Sequence, residues 1–347
     1  MTKITKAFLG CGFAALLVAG CGDGGSGAGG SGGGTAGSGG SGGGSGSSGG
    51  GGTAGGAAGM TGGTYPADAM SAGKYVANKI TLPSTSTQSK ELGCDLDGNG
   101  VPDNQLGNIL SALRGMIDTQ MGIDDAVNTG SVLVLFDVVS KSGIMTAASG
   151  QAGVAVNLGK YSSAMFNMAT AFSGMGMFMI DGMQYKLGGS IANGVGNFGP
   201  GNLTLKIALV AGTAPFSADL ISASVANVAI SATGLMGGKI CGAITEMDLN
   251  NKVLPTIANL LKDKVAGGGS TATTLCQLFD TMDPKCAATA ADCANFGPTM
   301  MPPANCISDV EIRENAIIKS VLKPDVTLNG TKALSLGLGF TAVVARF

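Results

Sequence analysis

"ALSLGLGFTAVVARF" (residues 333–347) closes the chain, and where it goes decides the fold. Leu334, Leu336, Leu338, Phe340, Ala342 and Val344 alternate with mostly small or polar residues. Successive side chains of a strand point to opposite faces, so this spacing presents one apolar face. The stretch is read as a half-buried terminal strand. A final Phe after an alternating strand also suits an outer-membrane barrel. Phe347, however, lies on the opposite parity from the apolar face, and the aromatic girdles such barrels need are missing.

Other strands lead inward from this one. "SVLVLFDVV" (131–139) is a continuous apolar run suited to a buried strand. In "NLTLKIALV" (202–210), Leu203, Leu205, Ile207 and Leu209 face one way, Thr204 and Lys206 the other. Residues 216–244 continue with β-branched side chains and Gly-Gly punctuation. "MGMFMIDGMQYKLGGSI" (175–191) predicts a hairpin at Asp181-Gly182, because Asp-Gly suits a type I′ turn. Its Met175, Met177, Met179 and Met183 are expected to fill core on a β face, in preference to a soft-metal site.

Helical spacing appears in "DNQLGNILSALRGMIDTQM" (103–121), where Leu106, Ile109, Leu110, Leu113, Ile117 and Met121 form one apolar face behind an Asp103 cap. Gly107 and Gly115 each weaken such a helix by about 1 kcal/mol relative to alanine. Thr245-x-x-Asp248 resembles a capping box and precedes the stripe Val253, Leu254, Ile257, Leu260, Leu261, Val265. Ser308-x-x-Glu311 is a second capping box, opening "VEIRENAIIKSVL" (310–322). Together these elements predict an α+β domain over 65–347: a mostly antiparallel, sandwich-like sheet with a few packed helices.

Composition limits the chemistry. Net charge is −2 and 12% of residues are charged, which leaves no basic footprint for nucleic acid. Histidine is absent, so a Ser-His-Asp triad, a Cys-His pair and a His-ligated metal are impossible within the chain. A non-enzymatic role is expected. A hydrolase working through carboxylates is the alternative, with Asp137 and Asp181 as candidates. The four glutamates are Glu91, Glu246, Glu311 and Glu314, three of them at predicted caps or turns. A carrier of lipid or another hydrophobic ligand would need a large apolar cavity.

The N-terminus carries an address. Lys3 and Lys6 precede an apolar run from Ala7 to Ala19, as in a secretory signal over residues 1–20. Val18-Ala19-Gly20-Cys21 resembles the bacterial lipobox. That resemblance implies a lipidated Cys21 as mature N-terminus, the lipid bilayer as partner, and a cell-envelope location at the outer membrane or surface. Acyl chains hold a protein to a bilayer through about 0.8 kcal/mol per buried methylene. Residues 22–63 are almost entirely Gly, Ser, Ala and Thr. Such a composition cannot bury a core, so 21–64 is expected to be a disordered tether with an r.m.s. reach of roughly 35 Å. Tethers of this kind behind a lipobox are similar to those of myxobacterial-type surface lipoproteins.

Six further cysteines, Cys94, Cys241, Cys276, Cys286, Cys293 and Cys306, are an even number in a chain read as exported, and are expected to pair as disulfides. The last four crowd the segment 276–306. Six cysteines allow fifteen pairings.

Directly after Cys94 runs "DLDGNGVPDNQL" (95–106). Oxygen donors at alternate positions suit a hard cation, with glycine at position 6 for the sharp turn. Here the donors would be Asp95, Asp97, Asn99, the Val101 carbonyl and Asp103, with Gly100 at the turn. The pattern resembles thrombospondin type 3 and dockerin-like calcium loops. Position 12 of an EF-hand loop would be a bidentate Glu, but here Leu106 stands there. Structural calcium is expected, with one ligand from water or elsewhere. "DVTLNGTKA" (325–333) echoes the spacing and is read as a turn.

Overall fold

The computed structural model describes residues 63–114, 118–141, 150–266, 315, 319–320 and 322–347. Outside these residues lie the leader, Cys21, the tether, Cys276, Cys286, Cys293, Cys306, and the capping box at Ser308.

Nine strands form one sheet: β1 Met70–Thr81, β2 Val134–Ser140, β3 Gly150–Tyr161, β4 Phe178–Ala192, β5 Val195–Ile207, β6 Phe216–Ile230, β7 Gly234–Thr245, β8 Val326–Leu328 and β9 Thr331–Val344. Neighbours pair antiparallel in the order β1-β2-β3-β4-β5-β6-β7-β9, and β9 pairs again with β1. Eight strands therefore close into a barrel, with β8 as an extra strand on β9. The expected sandwich-like α+β architecture is wrong. Alternation looks the same on the inner face of a sandwich and on the inside of a barrel. What differs is the pairing of first and last long strands, Tyr75↔Val344 through Thr81↔Gly339, which periodicity does not encode.

One apolar cluster collects side chains from all eight strands. It includes Tyr75, Phe136, Val154, Leu187, Phe198, Leu220, Ile240, Leu336 and Phe340. An eight-stranded barrel is just wide enough for side chains to fill. Phe136 and Phe340 stack across it with centroids 4.7 Å apart. Polar side chains such as Lys74 and Asp137 alternate with inward Tyr75, Phe136 and Val138, the reverse of a membrane barrel's polarity. β9 is buried on both faces from Ala333 to Phe340, not half-buried as its alternation suggests.

β1, β3, β5 and β7 all run toward one end of the barrel, where the helices gather. These are α1 Ser86–Leu92, α2 Gln105–Leu113, α3 Thr119–Asn128 and α4 Leu254–Ala266. Leu106, Ile109 and Leu110, with Ile123 and Val127, and with Leu254, Ile257 and Leu261, join the interior cluster and cap that mouth. The single helix expected over 103–121 is two. Asn104, not Asp103, caps α2 by accepting from the Gly107 N–H, and Asp118 starts α3 by accepting from the Met121 N–H. Met121 is exposed. Thr245 does cap the segment before α4, accepting from the Asp248 N–H.

At the opposite end, β4 joins β5 and β6 joins β7 through tight turns. The hairpin between β4 and β5 turns at Asn193-Gly194, both at positive φ, with Ala192 opposite Val195. Asp181-Gly182 is not a turn. There Asp181, Gly182 and Met183 lie opposite Leu158 alone, so the glycine (φ +99°) serves a bulge within β4. Back at the helix end, Asn329-Gly330 turns β8 into β9, as the turn reading of 325–333 anticipates.

The β3–β4 connection folds back on the outside of the barrel. Ala171 and Phe178 pack there on Val76, Leu133 and Leu135 with the C-terminal Ala345, and Phe166 and Phe172 sit beside them. The methionines of this region are not core: Met175, Met177, Met179 and Met183 are all exposed. The core reading is wrong: Met175 ends the helical turn Ala171–Met175, Met177 precedes β4, and only Met179 and Met183 lie on the strand.

Candidate metal centre

Cys94 and Cys241 form a disulfide with Cα atoms 6.0 Å apart. It fixes the base of the 95–103 loop to β7. The Asp103 N–H donates to the Cys94 carbonyl at 2.8 Å, closing the loop. Within it the acidic side chains turn inward onto backbone. Asp95 accepts from the N–H groups of Gly98 (2.7 Å) and Gly100 (2.9 Å), and Asp97 accepts from that of Asn99 (3.1 Å). Asp103 accepts from the Leu96 N–H at 2.8 Å. Gly100 has φ +85°, a left-handed conformation open to glycine at little cost, as the calcium-loop reading requires.

These turns bring one carboxylate oxygen each of Asp95, Asp97 and Asp103 within 4.8 Å of one another. Asn99 is held against them: its amide donates to Asp97 at 3.0 Å, and its Oδ1 accepts from the Val101 N–H at 2.7 Å. Val101 itself is exposed. Burial pushes the Asp103 carboxyl up to about 6, and the charges of Asp97, Asp325 and Asp95 add to this against the Leu96 hydrogen bond. Three converging carboxylates repel unless a cation neutralises them. A hard cation with oxygen ligands fits this donor set. Leu106 is 3% exposed and part of the core, so position 12 supplies no ligand.

Next to the loop, Asn104 ties the barrel shut. Its Oδ1 accepts from the N–H groups of Gly107 (3.0 Å) and Gly337 (2.8 Å). Its Nδ2 donates to the carbonyls of Ser89 and Gly337, both at 3.0 Å. All four capacities of the amide are used. β1 reaches β9 only as far as Gly339, and β8 leaves it at Ala333. In that gap the Asn104 amide pairs with Gly337 as a strand would. Asp325 fills the neighbouring place, accepting from the Ser335 N–H at 2.8 Å and from the Ser335 hydroxyl, while that hydroxyl accepts from the Gln105 N–H at 2.7 Å. A side chain at 337 would collide with the Leu92 carbonyl and the Asn104 amide, hence glycine. Sequence reasoning missed Asn104. Its only signal was an amide between the last aspartate of the loop and the helix.

The hydrolase candidates are not brought into a shared cleft. Asp137 accepts from the Ser71 hydroxyl at 2.6 Å, and Asp181 pairs with Lys206 at 3.5 Å. Glu91 and Glu246 are exposed, while Glu311 and Glu314 lie outside the described residues. A polar ladder on the outer wall was also missed. Tyr185 donates to Thr204 (2.7 Å), Thr204 to Asp219 (2.5 Å), and Lys252 bridges Asp219 (2.5 Å) and Asp248 (2.8 Å). The Lys252 and Thr204 hydrogen bonds hold the Asp219 carboxyl below its ordinary range. A hollow of about 280 Å³ at the turn end is lined by Lys74, Tyr75, Ile230 and Ser231. No helix among the described residues is long and apolar enough to cross a membrane.

No protein-family profile, curated protein or solved structure matches this chain.

Proposed function

We propose that this chain is a lipid-anchored cell-envelope protein whose barrel, clipped by calcium, presents its outer surface as a non-enzymatic binding or organising module. The observation that carries this reading is the filled interior: side chains from all eight strands occupy it and helices cover one mouth. An interior so occupied leaves the outer wall to meet other molecules, and gives no support to the carrier reading. The lipobox-like Val18-Ala19-Gly20-Cys21 and the Gly/Ser-rich segment behind it supply the anchor and tether. Calcium at Asp95, Asp97, Asn99 and Asp103 has a structural role here, because the loop it would close leads straight into Asn104 and the barrel seam.

The anchor is tested with Cys21→Ser. The variant is expected in the soluble fraction, where the wild type sediments with membranes. A variant that stays with membranes contradicts the anchor.

A further inference from the structure

Eleven large apolar side chains are exposed among the described residues, and six of them lie between residues 165 and 183. They are Met165, Met168, Met175, Met177, Met179 and Met183, from 45% to 81% exposed. Their base is fixed. Tyr161, Phe166, Phe172 and Phe178 meet edge to face at 5.3 to 5.9 Å beneath them. The Ser162 N–H and hydroxyl donate to the Met177 carbonyl, and Arg346 bridges to Met177. Phe178 is buried between Met177 and Met179, so these two share the outward face.

The charges around this face are positive. Lys160 lies directly opposite Met179 across β3–β4, and the Arg346 guanidinium is 3.9 Å from the Met175 sulfur. The acid in the stretch, Asp181, is neutralised by Lys206. Two cations beside the thioethers disfavour a soft metal ion and suit an anionic surface. The chain enters the described structure at Gly63, which bridges to Gly188 on β4, the strand that carries Met179 and Met183. The sequence that precedes Gly63 includes Cys21.

We propose that the methionine face docks on the lipid surface that anchors Cys21, an inference that rests on the anchor reading above. Flexible apolar side chains enter the boundary between headgroups and acyl chains, while Lys160 and Arg346 pair with anionic headgroups. A flexible tether makes the second contact intramolecular, so a face too weak to bind alone is engaged once tethered.

The test uses the full lipidated chain in vesicles of phosphatidylethanolamine and phosphatidylglycerol. Floated vesicles are treated briefly with chloramine-T, and methionine sulfoxide is mapped by mass spectrometry. The six methionines are expected to oxidise several-fold more slowly than Met121, Met236 and Met247, which are equally exposed but lie elsewhere. Cys21→Ser free in solution should oxidise all nine alike. The double variant Met177→Glu, Met179→Glu should still float but lose protection at the other four. A chain that floats with its six methionines unprotected, or a double variant that keeps protection, overturns the docking alone. A wild type that does not float overturns anchor and docking together. Protection already present in Cys21→Ser without vesicles assigns the face to another protein copy, which also overturns it.

Discussion

Asn104 and Asp103 are neighbours with opposite relations to water. Asn104 is buried and fully paired, so its loss leaves the Gly107 and Gly337 N–H groups and the Gly337 carbonyl without the partner it supplies. Each unpaired buried group costs about 1–3 kcal/mol. Asn104→Ala should lower unfolding stability by on the order of 3 kcal/mol or more, measured by denaturant titration. Asp103 is a carboxylate held where ionisation is unfavourable, its pKa raised from 3.8 to about 6. With chelator present, the folded state therefore binds this proton more tightly than the unfolded chain does. Stability from this group should rise as pH falls from 7 through 6 toward 4, and level off below. Asp103→Asn should remove that rise and melt higher than wild type in chelator at pH 7. In calcium the order should reverse, because the variant has lost a charged ligand. A Tm series over pH, with and without calcium, checks both signs. The convergence of Asp95, Asp97 and Asp103 was legible in the sequence because their spacing is itself the signal. The amide was not, because its partner lies 233 residues away.

Elements carried their local signals well and their placement less well. The alternation of β9 located the strand and its inward residues, Leu334 to Phe340, correctly. It could not show that the other face is covered too: by Val326 and Leu328 at Ala333, by Gln105 and Asp325 at Ser335, and by Leu92 and Asn104 at Gly337. Likewise the spacing from Met175 to Met183 imitates a strand face, although Met175 ends a helical turn and Met177 precedes β4. Asn-Gly and Asp-Gly both suit a type I′ turn, so dipeptide chemistry alone does not separate the true turn at Asn193-Gly194 from the bulge at Asp181-Gly182. The two faces make a contrast that mutation can read. Phe340→Ala removes the stack on Phe136 inside the barrel and should cost about 3–5 kcal/mol. Met177→Ala on the exposed face should stay within about 0.5 kcal/mol of wild type. Equal losses for the two would mean that inside and outside are wrongly assigned.

The whole molecule depends on contacts that join distant parts of the chain. β1 meets β9 across the length of the domain, and the described disulfide joins residues 147 apart. By loop-closure entropy a bridge of that span contributes at most about 5 kcal/mol. Cys94→Ala with Cys241→Ala should lower stability by a few kcal/mol, and should weaken calcium binding because the base of the loop is then free. Calcium titration of that variant, alongside its melt, separates the two effects. Closure of the sheet was the large feature hidden from the sequence, since a barrel and a sandwich share the same inward alternation. The acidic loop from Asp95 to Asp103 runs directly into Asn104, which is bonded to Gly337, so a cation bound in the loop should steady the barrel itself. Backbone hydrogen exchange at Gly337 reads this link, because the Asn104 side chain accepts its N–H. Exchange at Gly337 should slow markedly in calcium relative to chelator; the same rate in both would show that the loop, whatever it binds, does not hold the barrel closed.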